Sequence, residues 1–480
     1  MSKNLGVWQF ISLVSRFTAM FVGIAQSILM ARILSISEFG VIGLITAIGA
    51  LAGTAQHLGL ASGTTREISA AVDKEHIFKI VLSSLVIKYV VTVPIALFLL
   101  VAAPVLATNV YHVPEIVLPL RLFALVLIIQ GVQSIFNSVI AGLQKFKHLF
   151  IFQIGIAVVS LFIYVPMIYY FRVNGYFYSL VIFNAASSLI LAFLALLPLR
   201  KGFKLPTISE FKSNFKTILG ISLGIYVVKV LYTLWYKMSQ LTLGYFTTLE
   251  LVGIFSFALL YASKLQTVSD ALTDVNLPVF TKEFSSNFDN FKKLFRSNFN
   301  KLYAFIMFIG VSAIYWSKEI FLLAVEHKYD AALPLVPILI LAFIFYSYMN
   351  LLKSSVFVPA KHMRNLISCF IVLFGAAAIS VPLFSQFQSA LYAMASAMFV
   401  GSLFGFLSMG ILIKAQLGFV ILDKKDFVFT ILMAWMLAVY YIPNGFGVKL
   451  LAYAFLALVS GTFVLKSGIV NLKNLQRKLT

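Results

Sequence analysis

Long apolar runs separated by short charged connectors repeat along the whole chain. Counted as spans of about 20 residues, each able to cross ~30 Å of hydrocarbon, they fall at 7–30, 40–63, 80–107, 115–142, 149–171, 177–199, 217–241, 249–278, 301–324, 332–357, 365–385, 388–413, 427–443 and 448–466. This pattern predicts an all-α integral membrane protein with fourteen transmembrane helices. Composition agrees: 61% of the 480 residues are hydrophobic and 11% charged, at a mean hydropathy of +0.99, far from a soluble domain. The first run is long and contains Arg16, so it reads as an uncleaved span rather than a signal peptide. Cys369 is the single cysteine and can form no intramolecular disulfide.

Charge gives an orientation, because short cytoplasmic loops collect Lys and Arg. Placing the N-terminus in the cytoplasm puts 25 of the 37 basic residues on that side and six on the other: Arg32, Arg121, Arg172, Lys318, Lys328 and Lys449. Both termini are therefore expected to be cytoplasmic. The net charge of +21 then reads as a topology signal and an attraction to anionic headgroups. Scattered over many short loops, it makes no nucleic-acid surface.

Two connectors are longer than a turn. In 201–216, Thr207-Ile208-Ser209-Glu210 is a capping box opening an amphipathic segment. In 282–301, phenylalanines at 284, 288, 291, 295 and 299 share one helical face, which predicts an interfacial helix on the inner leaflet. Internal repeats set the architecture. LSISEFGVIGL at 34–44 pairs with FTTLELVGIF at 246–255, aligning Glu38 with Glu250 at an offset of 212; LPLRLFALVLI at 118–128 pairs with LPLVPILILAF at 333–343 at 215; LQKFKHL at 143–149 pairs with AKHMRNL at 360–366 at 217. A six-helix unit used twice is expected: one lobe over 1–200, the linker 201–216, a second lobe over 217–415, and two added helices over 416–480. Six being even, the lobes are related by an axis along the membrane normal, with a cavity between them.

Six basic residues fall inside the apolar runs: Arg16, Lys88, Lys229, Lys237, Lys264 and Lys353. A Lys or Arg at a helix centre costs about 2.5–3.5 kcal/mol on insertion scales, so these side chains are expected to avoid lipid. Lys237, near a span end, is expected to snorkel. The other five are expected to line a hydrated cavity, Arg16 and Lys229 as repeat mates. Acidic residues in the spans are few, Asp270 and Asp274 foremost, and are candidates for ion coupling. Surplus positive charge in such a cavity calls for a compact anion such as phosphate or pyrophosphate. Tyr226, Tyr232 and Trp235 are candidate sugar contacts.

Enzyme readings find little support. The six histidines form no HExxH or metal-ligand spacing, and no Walker loop, GxSxG or helix-opening GxGxxG occurs; no cofactor or metal is implied. The residues Arg32-Ile-Leu-Ser-Ile-Ser-Glu-Phe-Gly40, Leu58-Gly59-Leu60, Thr65-Arg66-Glu67-Ile68 and Ala141-Gly-Leu-Gln-Lys-Phe-Lys147 resemble the N-terminal region of bacterial O-antigen-type polysaccharide flippases of the multidrug/oligosaccharidyl-lipid/polysaccharide exporter superfamily. The resemblance implies two six-helix bundles plus two helices in the bacterial cytoplasmic membrane. It also implies transport of an undecaprenyl-pyrophosphate-linked oligosaccharide to the outer leaflet, in company with a polysaccharide polymerase and glycosyltransferases. It supplies no motif match for Arg16, Lys88, Lys229, Lys264 or Lys353. Alternatives are a flippase for another lipid-linked cell-wall precursor and a multidrug or cation antiporter; the latter calls for carboxylates deep in the first bundle, where the sequence has none. Arg32 and Glu38 are either an outer gate pair or a polar turn in which Ser35, Ser37 and Glu38 cap the second span.

Overall fold

The structure, a computed structural model, describes residues 5–469 except 58, 72, 144, 201, 443–444 and 468. The side chains of 5–16, 62, 70, 146, 216, 218–223, 271–275, 277–278 and 285 also lie outside the description. Among the described residues the chain is helical throughout, with no strand. Among the described residues nine helices are long and apolar enough to cross a membrane, or ten when a pair bent by 59° is taken as one span. The chain is a multi-pass membrane protein, and fourteen crossings are not reached by that criterion.

The chain divides into two compact units, Met1–Phe257 and Ala258–Thr480. The first holds α1 (Leu5–Ile33), α2 (Ile36–His57), α3 (Leu60–Ala70), α4 (Lys74–Val105), α5 (Val117–Gly142), α6 (Phe146–Leu196), α7 (Ile208–Phe246) and the start of α8 (Leu249–Ser286). The boundary expected at 201–216 is thus not where the units part: α7 packs on α2, α3 and α4. The opening turns of α8 cross α2 at main-chain contact. A Cβ on Gly40 would stand 1.9 Å from the Leu249 carbonyl oxygen, and one on Gly253 2.0 Å from that of Ile36. Small residues let helix backbones approach this closely, and here they join the two halves of the LSISEFG and TTLELVG repeat inside one unit.

α6 is two arms rather than one rod. Arg172 has φ +55° and ψ −130°, a left-handed conformation that bulky residues avoid, and the chain reverses there. Tyr164 meets Tyr176 and Phe183, and the Ser179 hydroxyl donates to the Ile163 carbonyl, so the arms run antiparallel.

The connector before α7 folds as its sequence dictates. Thr207 and Glu210 form the reciprocal capping box, and Lys79 bridges Glu210 at 2.9 Å and Glu75 at 3.0 Å. Lys204 joins Glu75 at 2.7 Å, and Phe203 packs on Phe78, so the connector is fastened to the start of α4.

The second unit contains α9 (Phe288–Tyr315), α10 (Ser317–Val325), α11 (Val336–Leu352), α12 (Met363–Ser385), α13 (Ala390–Leu417), α14 (Lys424–Tyr440) and α15 (Phe446–Lys466). The expected interfacial helix at 282–301 is absent from the described residues. α8 runs to Ser286, Asn287 caps α9 by accepting from the Asn290 amide at 3.0 Å, and α9 continues unbroken into the span. Phe291, Phe295 and Phe299 are at most 2% exposed, stacked along α9 and against Phe280, Phe419 and Tyr348. The periodic face is real, but protein covers it instead of headgroups. At the other end of α9, the Lys449 ammonium binds both oxygens of Glu319 at 2.7 and 2.9 Å. The rings of Tyr315, Trp316 and Tyr440 surround it, which ties α15 to α9, α10 and α14.

The Thr207 amide, then the Lys79 ammonium and the Thr207 hydroxyl, hold the Glu210 carboxyl down at about 2, below its ordinary 4.5. A depressed carboxylate stabilises the fold above its unfolded pKa and loses that contribution as pH falls through its folded one. Glu210→Gln is therefore expected to lower the thermal unfolding temperature at pH 7, the gap to wild type closing between about pH 4.5 and pH 2. A gap unchanged across that window refutes the attachment.

Candidate functional site

In the first unit α2, itself long and apolar enough to cross a membrane, is followed by a sharp turn. α2 stops at His57, Gly59 turns left-handed at φ +69°, and α3 restarts at Leu60. Ending a helix where its last residues are buried, Gln56 being 1% exposed, leaves its last carbonyls without amide partners. Side chains from neighbouring helices take their place: the Tyr226 hydroxyl donates to the Ala55 carbonyl at 3.3 Å, and the Lys88 ammonium to the Gln56 carbonyl at 2.9 Å. The Thr92 hydroxyl holds the Gln56 side chain at 2.8 Å, and Thr54 pairs with Thr233 at 3.0 Å. Lys88 is 1% exposed. A cation at the negative end of a helix dipole is well placed, so this ammonium terminates α2.

Lys229 lies between Tyr226 and Thr233 on α7, the two residues that fasten α7 to the end of α2. It is exposed, and its ammonium makes no hydrogen bond or ion pair among the described residues. Lys88 and His57 are both within electrostatic range of it. Two ammonium groups beside a helix C-terminus, without a carboxylate on either among the described residues, form a region that attracts an anion, and Lys229 is the group with open access to one.

Other sequence expectations fare differently. Lys237 does not snorkel: its ammonium is bonded to Gln240 at 3.0 Å over the ring of Tyr236, and Gln240 donates to Ser256 at 2.8 Å. Trp235 is fully buried and packed on Tyr232. Tyr226 is engaged by α2, and Tyr232 is half-buried and stacked on Tyr236. The side chains of Arg16 and Asp274 lie outside the described residues.

The second unit has its own polar cluster. Asp270 of α8 accepts from Asn350 at 2.6 Å and from Gln266 at 3.4 Å, and Asn350 also meets Ser269 at 3.2 Å. Lys353 begins a π-helical turn, Lys353–Phe357, directly after α11, an irregularity frequent at functional sites. Lys264 is half-buried on α8, its ammonium without a hydrogen bond or ion pair among the described residues.

At the α1–α2 turn Glu38 is held from a distant part of the chain. Arg172, from the turn of α6, grips Glu38 through Nε at 3.0 Å and Nη2 at 2.6 Å, and its Nη1 donates to the Ile33 carbonyl at 2.7 Å. Ser35 and Glu38 exchange bonds as a capping box, 2.7 and 3.2 Å. A bidentate guanidinium outcompetes the alternatives because its fork matches the carboxylate.

Missed by sequence reasoning were Gln56, His57, Thr92 and Arg172. The glycine after His57-Leu58 was the available signal, since a Gly just past a helix end marks a left-handed stop.

The fold is one seen in solved structures of membrane transporters. The lipid II flippase MurJ in an inward closed conformation superposes with a TM-score of 0.72 at 14% identity, covering 97% of this chain and all of that one. An inward-facing multidrug resistance MATE family transporter of the MOP superfamily gives 0.64 at 16% identity over 85% of this chain and 98% of the other. The eukaryotic MATE transporter AtDTX14 gives 0.58 at 13% identity, over 92% and 98%. At these identities the likeness is one of fold. No curated protein matches the chain in sequence. The profile of the family described as polysaccharide biosynthesis protein matches residues 29–334, well over half of the chain, and the chain belongs to that family.

The two lysines have separable roles. Lys88→Met leaves the Gln56 carbonyl unpaired at a cost of about 1–3 kcal/mol, so the purified protein is expected to melt several degrees lower. Lys229→Met, which removes an exposed ammonium, is expected to stay within about 0.5 kcal/mol of wild type. Equal melting of the two variants contradicts the division.

Proposed function

We propose that this protein is a flippase for a polyprenyl-pyrophosphate-linked oligosaccharide, an O-antigen or other surface-polysaccharide repeat unit. It carries that unit from the inner to the outer leaflet of the bacterial cytoplasmic membrane. Membership of the polysaccharide biosynthesis family and a fold shared with a lipid II flippase support the class. The observation that carries the reading is the exposed Lys229, set on α7 between Tyr226 and Thr233, the two residues that fasten α7 to the end of α2 where Lys88 is buried. In lipid a diphosphate bears the heavy cost of an unpaired buried charge; at Lys229, with Arg16 as its repeat mate, it meets opposite charge instead.

Translocation proceeds by alternating access and requires no covalent chemistry. Both termini and the lysine-rich connectors face the cytoplasm and anionic headgroups; a polysaccharide polymerase and glycosyltransferases act before and after it. In the second unit Lys264 and Lys353 add positive charge. Asp270, a carboxylate within α8 fixed by Asn350 and Gln266, is the group that couples transport to an ion, since intramembrane acids are costly and serve function.

The test is surface polysaccharide in bacteria lacking their own O-antigen flippase. Wild type is expected to restore it, and Lys229→Ala or Arg16→Ala at matched membrane abundance to lower it at least tenfold. A fully active Lys229→Ala removes the basis of the reading, and failure of well-inserted wild type points to drug or cation export. In the same cells Asp270→Asn is expected to slow export and to remove its sensitivity to a proton or sodium uncoupler; an Asp270→Asn protein with unaltered sensitivity excludes the coupling role.

A further inference from the structure

Three features left unused by the lysine site meet at one end of the first unit: the α1–α2 turn, the strained reversal of α6 at Arg172, and a cleft of about 350 Å³ between them. Its wall includes Ser37, Glu38, Glu115, Phe171, Arg172 and Asn174. We propose that this cleft is a subsite for a neutral or amino sugar residue, the sugar end of the transported molecule as it emerges at the outer face. This identification of the occupant rests on the flippase reading above.

Part of the wall is rigid. Glu38 is committed to Arg172 and Ser35, and Arg172 spends its third nitrogen on Ile33. The pair fixes the end of α1, the start of α2 and the turn of α6 against one another. The rest of the polar wall is open to a ligand. Among the described residues Ser37, Glu115 and Asn174 make no side-chain hydrogen bond or ion pair. They supply one carboxylate acceptor, one amide able to donate and accept, and one hydroxyl, the combination that reads neighbouring hydroxyls of a ring. The exposed ring of Phe171 and the side chains of Val41 and Leu249 give apolar surface for the C–H face of a sugar.

Charge narrows the class. Arg172 is neutralised by Glu38, and Glu115 leaves the cleft with an excess of negative charge, so a phosphate or a uronic acid is repelled. This is the opposite of the lysine site, and the two divide the substrate by chemistry: pyrophosphate to the ammonium groups, sugar to the cleft. The volume lies at the lower end of the range for small-molecule sites, enough for a short stretch of glycan.

Saturation-transfer NMR of the protein in nanodiscs, with neutral, amino and acidic trisaccharides at millimolar concentration, tests the proposal. Wild type and Lys229→Ala are both expected to transfer signal to neutral or amino sugars, and Glu115→Gln/Asn174→Ala to lose at least tenfold of it. Transfer to none of the sugars, transfer to acidic sugars alone, or transfer untouched by Glu115→Gln/Asn174→Ala overturns the proposal. A matched melting temperature for the double variant, whose residues bond to nothing else described, excludes misfolding as the cause of loss. Complementation separates the two readings: wild type that restores polysaccharide yet transfers to no sugar refutes the cleft alone, and wild type that transfers through the cleft yet restores none refutes the flippase reading alone.

Discussion

A buried ammonium that closes off a helix is the interaction on which the first unit depends. A helix that stops in a buried interior has carbonyl oxygens without donors unless the surrounding protein supplies them. Lys88 is the donor. Its own burial would be prohibitive without a partner, so cation and carbonyl each remove the other's cost. The Thr92 and Tyr226 bonds complete the arrangement, and α3 can then start in a new direction. The charge that ends α2 also raises the local potential at Lys229, so the structural cation and the open one reinforce each other.

The charged residues within the apolar runs share a composition but not a fate. Lys88 caps a helix, Lys237 is spent on Gln240 and a ring, Lys264 is unpaired among the described residues, and Lys229 stands exposed. Insertion cost alone treats these residues as equivalents. What separates them is which backbone or side-chain acceptor the packing brings near, and hydropathy carries no information about that.

Much of the architecture was legible because it follows from local rules. The membrane class follows from apolar runs, and the Thr207–Glu210 box from residue types at fixed spacing. Where the sequence reading went astray, the same pattern had two physical causes. A phenylalanine stripe on α9 has the period of an interfacial helix and of a helix packed in protein; period reports which residues share a face, not what covers it. Arg172 reads as an ordinary loop cation, yet its partner lies 134 positions away, and long-range pairing of that kind leaves no local trace. The stop after His57 was signalled by Gly59 alone, too little to divide a span that hydropathy makes continuous. α7, although its sequence opens a second repeat, packs against α2, α3 and α4, a partnership that no local pattern announces.

The crossing of α2 with the first turns of α8 has a mechanical meaning. Where Gly40 lies on Leu249 and Gly253 on Ile36, main chain touches main chain and no side chain stands between them to change rotamer. Side-chain interfaces can slide by repacking; this one has nothing to repack. The two segments act as a single welded strut, and any rearrangement of the first unit must turn about that strut.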